Sequence, residues 1–348
     1  MLTFSQIIGQ EKAKGFLKKV LARDKTPHAY IFSGIYGIGK TSTAMALSMA
    51  LNCLSPVNSD ACGECRPCRQ MKGGNFPDFI SLLPDGQNIK IDQIRELNRQ
   101  LSFAPVAGKY RVCVLHQSEA MTSEAANSFL KTLEEPPSGT IFILKASESL
   151  NLLPTIVSRC QRINFQPLPV QEITAWLVKE RGLNEETAMI LAKTSGGSLG
   201  LAIKMSENDF LDKRQKWLLS LINLPAMSGD EAFEMALEYA TGKAKSAKNS
   251  SDGEETGVLD ILGVWQNWYR DLLLVKDDCR TDLLINPDFQ YDLKNTSKNY
   301  KMTNLIKAMM KIDQAQTDII RMRNSKIVME YTVICLRNLA LDKIQTTS

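Results

Sequence analysis

Tyr30-Ile31-Phe32-Ser33-Gly34-Ile35-Tyr36-Gly37-Ile38-Gly39-Lys40-Thr41 runs from an apolar stretch through glycines into helix-competent residues. From Gly34 onward it spells G-x-x-x-x-G-K-T, the P-loop pattern, in the strand–loop–helix order the pattern requires. The glycines let the backbone curl so that its N–H groups point at phosphate oxygens. The start of the following helix, expected over 41–54, adds partial positive charge. Lys40 is expected to reach the β- and γ-phosphates of a nucleotide, and the Thr41 hydroxyl to sit on Mg²⁺. Gly34, Gly37, Ile38, Gly39, Lys40, Thr41 and Ser42 are the expected nucleotide contacts.

Around this loop the chain has 348 residues, enough for two or three domains. No apolar run approaches membrane-spanning length. Residues 1–14 carry Gln, Glu and Lys where a signal peptide needs an apolar core, so a cytoplasmic location is expected. A net charge of +4 permits a nucleic-acid partner without demanding one.

Of eight cysteines, four fall within 53–68 as Cys53-x8-Cys62-x2-Cys65-x2-Cys68. Pro56, Gly63 and Pro67 bend the chain between them. Tight turns of this kind bring sulfurs to one point, and a tetrahedral set of four thiolates favours Zn²⁺. Four protein ligands leave no place for a reacting water, so the expected zinc site is structural.

Downstream, residues 89–101 have helical spacing with Asp92 as expected N-cap; Arg95 and Arg99 share a face read as solvated. Residues 112–115 read as a buried parallel strand ending in His116-Gln117. In a P-loop ATPase this strand normally ends in an Asp that holds the Mg²⁺ shell, often followed by a Glu that polarises water. Neither His116 nor Gln117 supplies a carboxylate, and Glu119 lies two residues beyond. A helix over 122–135, strands over 140–144 and 161–165, and a short helix over 152–157 complete a βαβ rhythm. The expected fold is α/β, a parallel sheet with helices on both faces. After Pro167 and Pro169 the strands stop. Helices are expected over 170–181, 185–194 and 198–205, then an all-helical remainder. Its apolar stripes are Leu259, Leu262, Trp265, Tyr269, Leu272 and Leu273; Leu305, Ile306, Met309, Met310 and Ile312; and Val328, Tyr331, Val333, Ile334 and Leu336. Residues 241–256 read as a flexible loop.

Together these residues resemble the bacterial clamp-loader subunits of DNA polymerase III, a branch of the AAA+ ATPases. The resemblance is carried by His28-Ala29-Tyr30-Ile31-Phe32-Ser33-Gly34, the P-loop, the cysteines placed after its helix, Phe129-Leu130-Lys131-Thr132-Leu133-Glu134-Glu135-Pro136-Pro137, and Ser158-Arg159-Cys160. It is dense over 4–167. It implies an AAA+ domain over 1–166, a helical lid over 167–207 and a helical collar for oligomerisation over 208–348. It also implies a hetero-pentamer with gamma/tau and delta types, a sliding clamp and primer–template DNA as partners, and no membrane. Arg159 falls where the family places an arginine finger that reaches the ATP of the adjacent subunit. Motor subunits carry Asp-Glu where this chain has His116-Gln117, and a sensor arginine where it has Gly200. The family's first sensor position falls on Ser147, a weakened substitute. The pattern is similar to the delta-prime type, with ATP and Mg²⁺ possible cofactors and little or no hydrolysis of its own. Two other readings stay open. One is an ATP-hydrolysing gamma-type motor, resting on the intact P-loop; the other is a zinc-dependent nucleic-acid-binding module with a vestigial P-loop, resting on the cysteines and mild basicity.

Overall fold

The computed structural model describes residues 3–23, 26–241 and 253–342, with the backbone alone for 253–256. It divides into two compact units. One comprises the described residues up to Trp176 together with Gly196–Leu201; the other comprises Leu177–Ser195 and those from Ala202 onward.

The first unit is built on five strands: β1 (Ala29–Ser33), β2 (Phe79–Leu82), β3 (Arg111–Leu115), β4 (Thr140–Ala146) and β5 (Gln161–Asn164). All pairs are parallel and the order across the sheet is β2-β3-β4-β1-β5. Its helices are α1 (Glu11–Ala22), α2 (Lys40–Asn52), α3 (Arg66–Lys72), α4 (Ile91–Leu101), α5 (Ser123–Glu134) and α6 (Pro154–Val157), followed by the start of α7 (Val170–Arg181). Successive strand side chains point to opposite faces, and here both faces are covered. Tyr30, Phe32, Val112, Val114, Ile141 and Ile143 share a core with Leu17 of α1 and Leu47 of α2. Ile31, Cys113, Leu115, Phe142 and Leu144 share another with Ile94 and Leu97 of α4 and Phe129 of α5. Covering on both sides is why these strands read as unbroken apolar runs rather than alternating ones.

The α/β fold with parallel strands is as expected from the sequence, with three differences. The edge strand β2 was not expected: it is four residues long and none of them is fully buried. The strand expected to stop at 144 continues through Lys145 and Ala146. The N-cap of α4 is Lys90, whose N–H is closed by Gln93 Oε1 at 3.0 Å; Asp92 instead sits in the first turn and takes Arg95 at 3.1 Å.

The connection into β3 is pinned by Asp78, which is fully buried. It accepts N–H bonds from Val106, Ala107 and Gly108 at 2.7–2.8 Å and pairs with Arg111 at 3.2 Å. Burial pushes the carboxyl pKa up, but these donors more than reverse the effect and leave it lowered. Its contribution is therefore fully present above the unfolded value of about 3.9 and is lost as pH falls through the lowered folded value. Asp78→Ala leaves three amides without an acceptor and the buried Arg111 guanidinium without its counter-charge, though still bonded to the carbonyls of Gln100, Phe103 and Ala104, at an expected cost of about 3–5 kcal/mol in urea unfolding at neutral pH. Asp78→Asn should flatten the acid limb of the stability–pH curve.

The second unit is helical: α8 (Glu185–Thr194), most of α9 (Leu199–Glu207), α10 (Phe210–Asn223), α11 (Gly229–Thr241), α12 (Gly253–Lys276), α13 (Gln290–Lys298), α14 (Met302–Ile320) and α15 (Ser325–Leu341). Its core holds Leu262, Trp265, Tyr269 and Leu272 of α12, Leu305 and Ile312 of α14, and Val333 and Leu336 of α15. Other members of the expected stripes, Ile306, Met310, Tyr331 and Ile334, are exposed. The buried face of α14 instead follows 305, 308, 312, 315 and 319, the spacing of one helix side. Buried Arg214 forks onto Asp288 at 2.7 and 2.8 Å, and buried Asp271 accepts the N–H of Asn286 at 2.8 Å. Of the loop expected over 241–256, residues 242–252 lie outside the described residues, and Gly253 already begins α12. Among the described residues no helix is long and apolar enough to cross a membrane.

Candidate functional site

β1 delivers the chain into the glycine loop at the carboxyl ends of the strands, where open parallel sheets bind ligands. Gly34 N–H hooks onto the carbonyls of Ala146 and Ser147 at the end of β4, at 3.3 and 3.0 Å. Gly37 and Gly39 take φ of +72° and +104°, and α2 starts at Lys40. Two carbonyls of the loop are taken up by residues around Gly200. Tyr36 O accepts from Ser198 Oγ at 2.7 Å, and Gly37 O accepts from the Gly200 N–H at 2.9 Å. Among the described residues the N–H groups of 35–39 meet no protein acceptor. Consecutive unpaired amides running into a helix start make a phosphate cradle. The cavity over it is about 630 Å³ and is lined by Gly34, Gly37, Gly39, Lys40, Thr41, Ser42 and Ser147 of the expected set. Ile38 is the exception. Its side chain is buried in the core beneath the loop, so it offers backbone only.

Gly200 is a glycine for a packing reason. A Cβ there would lie 2.8 Å from Gly37 O and 2.9 Å from Gly37 Cα, both backbone. Gly200→Ala is expected to cost about 1–3 kcal/mol by overpacking. Gly15→Ala, with nothing within 4 Å in the middle of α1, should instead stabilise by about 0.5–1 kcal/mol. Denaturant midpoints of the two variants would separate the cases.

At the end of β3 the sequence expectation of no carboxylate at 116 and 117 meets an arrangement not anticipated. Lys145, on β4, donates to Thr41 Oγ1 and to His116 Nδ1, the latter at 2.9 Å. His116 Nε2 bonds Ser81 Oγ at 2.8 Å, which fixes the ring. Burial, and then the Lys145 charge, hold the His116 pKa down to about 4, so the imidazole is neutral and accepts. Burial, and then the Lys40 charge, push Lys145 down to about 8. Lys40 bends back onto the loop carbonyls of Gly34 and Ile35. Burial lowers its pKa, and nearby Glu119 works against that. Glu119 reaches the cavity because Gln117 adopts φ +47° and the turn Ser118–Ala120 folds back. Its Oε1 accepts from the Ser147 N–H at 2.9 Å and the Ser147 hydroxyl at 2.8 Å. Mg²⁺ demands octahedral oxygen ligands, usually with a carboxylate. The Thr41 hydroxyl expected to hold it is engaged by an ammonium and β3 ends in an imidazole and an amide, so Thr41, His116 and Gln117 as placed do not fit a Mg²⁺ shell; the carboxylate of the lining is Glu119, whose Oε1 is on Ser147 and whose Oε2 has no protein partner among the described residues. Lys145 was missed, although a charge inside an apolar strand run is visible in the sequence.

The four cysteines do converge. The sulfurs of Cys53, Cys62, Cys65 and Cys68 all lie within 4.8 Å of one another and could hold a metal ion. Cys53 and Cys65 Sγ are 3.9 Å apart. A tetrahedron of sulfurs about 2.3 Å from a central zinc has edges of about 3.8 Å, whereas a disulfide needs about 2.05 Å. Backbone N–H groups of Glu64 and Cys65 approach the Cys62 sulfur at 3.5 and 3.4 Å and bring its pKa down to about 6. The donor set and its spacing fit a structural metal. Cys68 and Met71 of α3 pack with Met49 of α2 and with Phe76 beneath the cluster. Lys72 Nζ straps the turn through Gly63 O at 2.6 Å.

Arg159 follows α6 and is partly exposed. Its guanidinium pairs with Glu134 at 2.6 Å and donates to Thr155 O at 3.0 Å. It is not among the residues lining this chain's own P-loop cavity.

A parallel sheet in this order, with a glycine loop leaving β1 and amides open over the strand ends, defines the P-loop nucleotide-binding class. Residues 9–169 match the family model described as DNA polymerase III, delta subunit. The chain is 29% identical to the DNA polymerase III subunit delta' of Bacillus subtilis, over 94% of this chain and 96% of that protein. It is 33% identical to subunit delta' of Escherichia coli over 58% of this chain and 61% of that one. It is 34% identical to subunit tau of Escherichia coli over 59% of this chain but 32% of tau, so it spans about a third of the length of that relative. Over nearly its whole length the chain is similar to a DNA polymerase III subunit delta', and over its P-loop unit to subunit tau as well.

Proposed function

We propose that this chain is a non-hydrolysing clamp-loader subunit that presents Arg159 to a nucleotide held by a neighbouring subunit. The observation that carries this reading is the end of β3. There His116 and Gln117 stand without a carboxylate, and His116 is spent on Lys145 and Ser81. Arg159 lies outside the cavity lining, and its partners, Glu134, Thr155 O and Ser158 Oγ, are at the surface, where the guanidinium can be handed to another chain. Its neighbours are gamma/tau- and delta-type subunits in a hetero-pentamer that places a sliding clamp on primed DNA, which the assembly as a whole meets. Residues 1–166 form the AAA+ domain, 167–207 the lid and 208–348 the collar. In this arrangement the P-loop holds ATP statically through Gly34, Gly37, the Ile38 backbone, Gly39, Lys40, Thr41 and Ser42, with Ser147 at its rim. Cys53, Cys62, Cys65 and Cys68 hold Zn²⁺, which cross-links the turns between α2 and α3.

The test is assembly and turnover together. Mixed with gamma/tau- and delta-type subunits, the chain should enter one stable complex, measured by mass. Alone, it should show no DNA-stimulated hydrolysis. Brisk turnover by the isolated chain that disappears with Lys40→Ala would overturn the reading in favour of a motor.

A further inference from the structure

We propose that Lys145 stands in for the divalent cation, so that this P-loop binds nucleoside triphosphate without Mg²⁺. The inference rests on the reading above that the loop holds nucleotide, and it identifies the form of nucleotide taken.

Three observations converge on it. The first is place. Lys145 pairs in register with Phe32 on β1, the strand that runs into the glycine loop. Its ammonium donates to Thr41 Oγ1, the hydroxyl that a P-loop otherwise gives to the metal. The second is the donor count. An ammonium has three N–H groups; Thr41 and His116 take two, and no other protein acceptor among the described residues takes the third. That donor belongs to the same cavity as the open loop amides, where β- and γ-phosphate oxygens would lie. The third is support. The Ser81 hydroxyl fixes the His116 ring so that Nδ1 accepts from Lys145. A neutral imidazole that steers an ammonium is of no use to a metal shell here, because the same Nδ1 lone pair is already occupied.

Charge points the same way. Lys40 and Lys145 both line the cavity, and the charge of one lowers the proton affinity of the other. Glu119 is the carboxylate of the lining; its Oε1 is committed to Ser147 and its Oε2 has no protein partner among the described residues, so one carboxylate faces two ammonium groups. A polyphosphate supplies the negative charge that satisfies both ammonium groups. A Mg²⁺ brought in with it would have to displace Lys145 from Thr41 and would add to the positive charge already there.

The experiment is calorimetric titration of ATP into the purified full-length chain, in excess EDTA and again in millimolar magnesium chloride. Binding in EDTA should be at least as tight as with Mg²⁺. Lys145→Ala should weaken binding in EDTA by about ten- to a hundredfold, the loss expected for a charge-assisted hydrogen bond. Lys145→Arg, which keeps the charge, should restore part of it. Tight binding that appears only when Mg²⁺ is present would overturn this inference and leave the nucleotide-binding reading intact. Binding in neither condition would overturn both. Binding in EDTA that Lys145→Ala leaves unchanged would remove Lys145 from the account.

Discussion

Replacing Arg159 by alanine is expected to lower nucleotide turnover by a thousandfold or more at the one site of the reconstituted clamp loader that this chain faces. Arginine fingers contribute on the order of 10³–10⁵ to phosphoryl transfer, because a planar guanidinium meets the charge that develops on the transferring group. The mass of the assembly should not change, since Arg159 is partly exposed and carries no core packing. The measurement is DNA-stimulated phosphate release by the whole assembly, with neighbouring motor sites silenced so that the affected one is read alone. Unchanged release would exclude Arg159 as a finger.

The position of Arg159 in the free chain bears on that magnitude. It is held by Glu134, with 37% and 51% of the two side chains exposed. A pair that open to solvent is worth about 0–1 kcal/mol, so handing the guanidinium to a triphosphate costs little. Glu134→Gln should therefore change turnover far less than Arg159→Ala. Arg159→Lys should not restore full rate, because an ammonium cannot reproduce the bidentate fork.

How far each feature could be read from the sequence follows from how local its cause is. The P-loop was legible because three local requirements coincide within one stretch: an apolar strand, glycines where φ is positive, and a helix start. The cysteines were legible from spacing alone. β2 was not, because Phe79-Ile80-Ser81-Leu82 is a short, half-covered edge whose pairing with β3 is decided by distant residues. Lys145 could be seen as a charge in an apolar run. Its meaning depends on β4 lying beside β1, a fact of sheet order rather than of sequence neighbours. Glu119 depends on a positive φ at Gln117, which non-glycine residues seldom adopt and no local pattern announces. Gly200 could be read as the loss of an arginine; that backbone contact with Gly37 leaves no room for a Cβ is visible only in three dimensions. Arg159 had no signal of its own beyond the family resemblance.

The second large effect is expected from the cysteine cluster. Purified under reducing conditions, the chain should carry one zinc ion, and Cys62→Ser or Cys68→Ser should carry none, as read by elemental analysis. Structural zinc in small modules supplies roughly 10–16 kcal/mol of apparent binding free energy at neutral pH. Little else orders this segment: α3 is seven residues long, and the core beneath it is confined to a few side chains such as Met49, Met71 and Phe76. Loss of the ion should therefore unfold 53–72 locally, seen as lost amide protection in hydrogen exchange. The sheet should persist, because its two cores draw on strands and helices outside that segment. One link carries the damage further. Asp60 accepts the N–H groups of Phe4 and Ser5 at 3.0 Å, so the chain ahead of α1 should loosen with the module. Cys113, buried in the sheet away from the cluster, provides the control: Cys113→Ser should lower stability without touching zinc content. A chain that retains zinc after Cys68→Ser, or that never carries it, would refute the assignment.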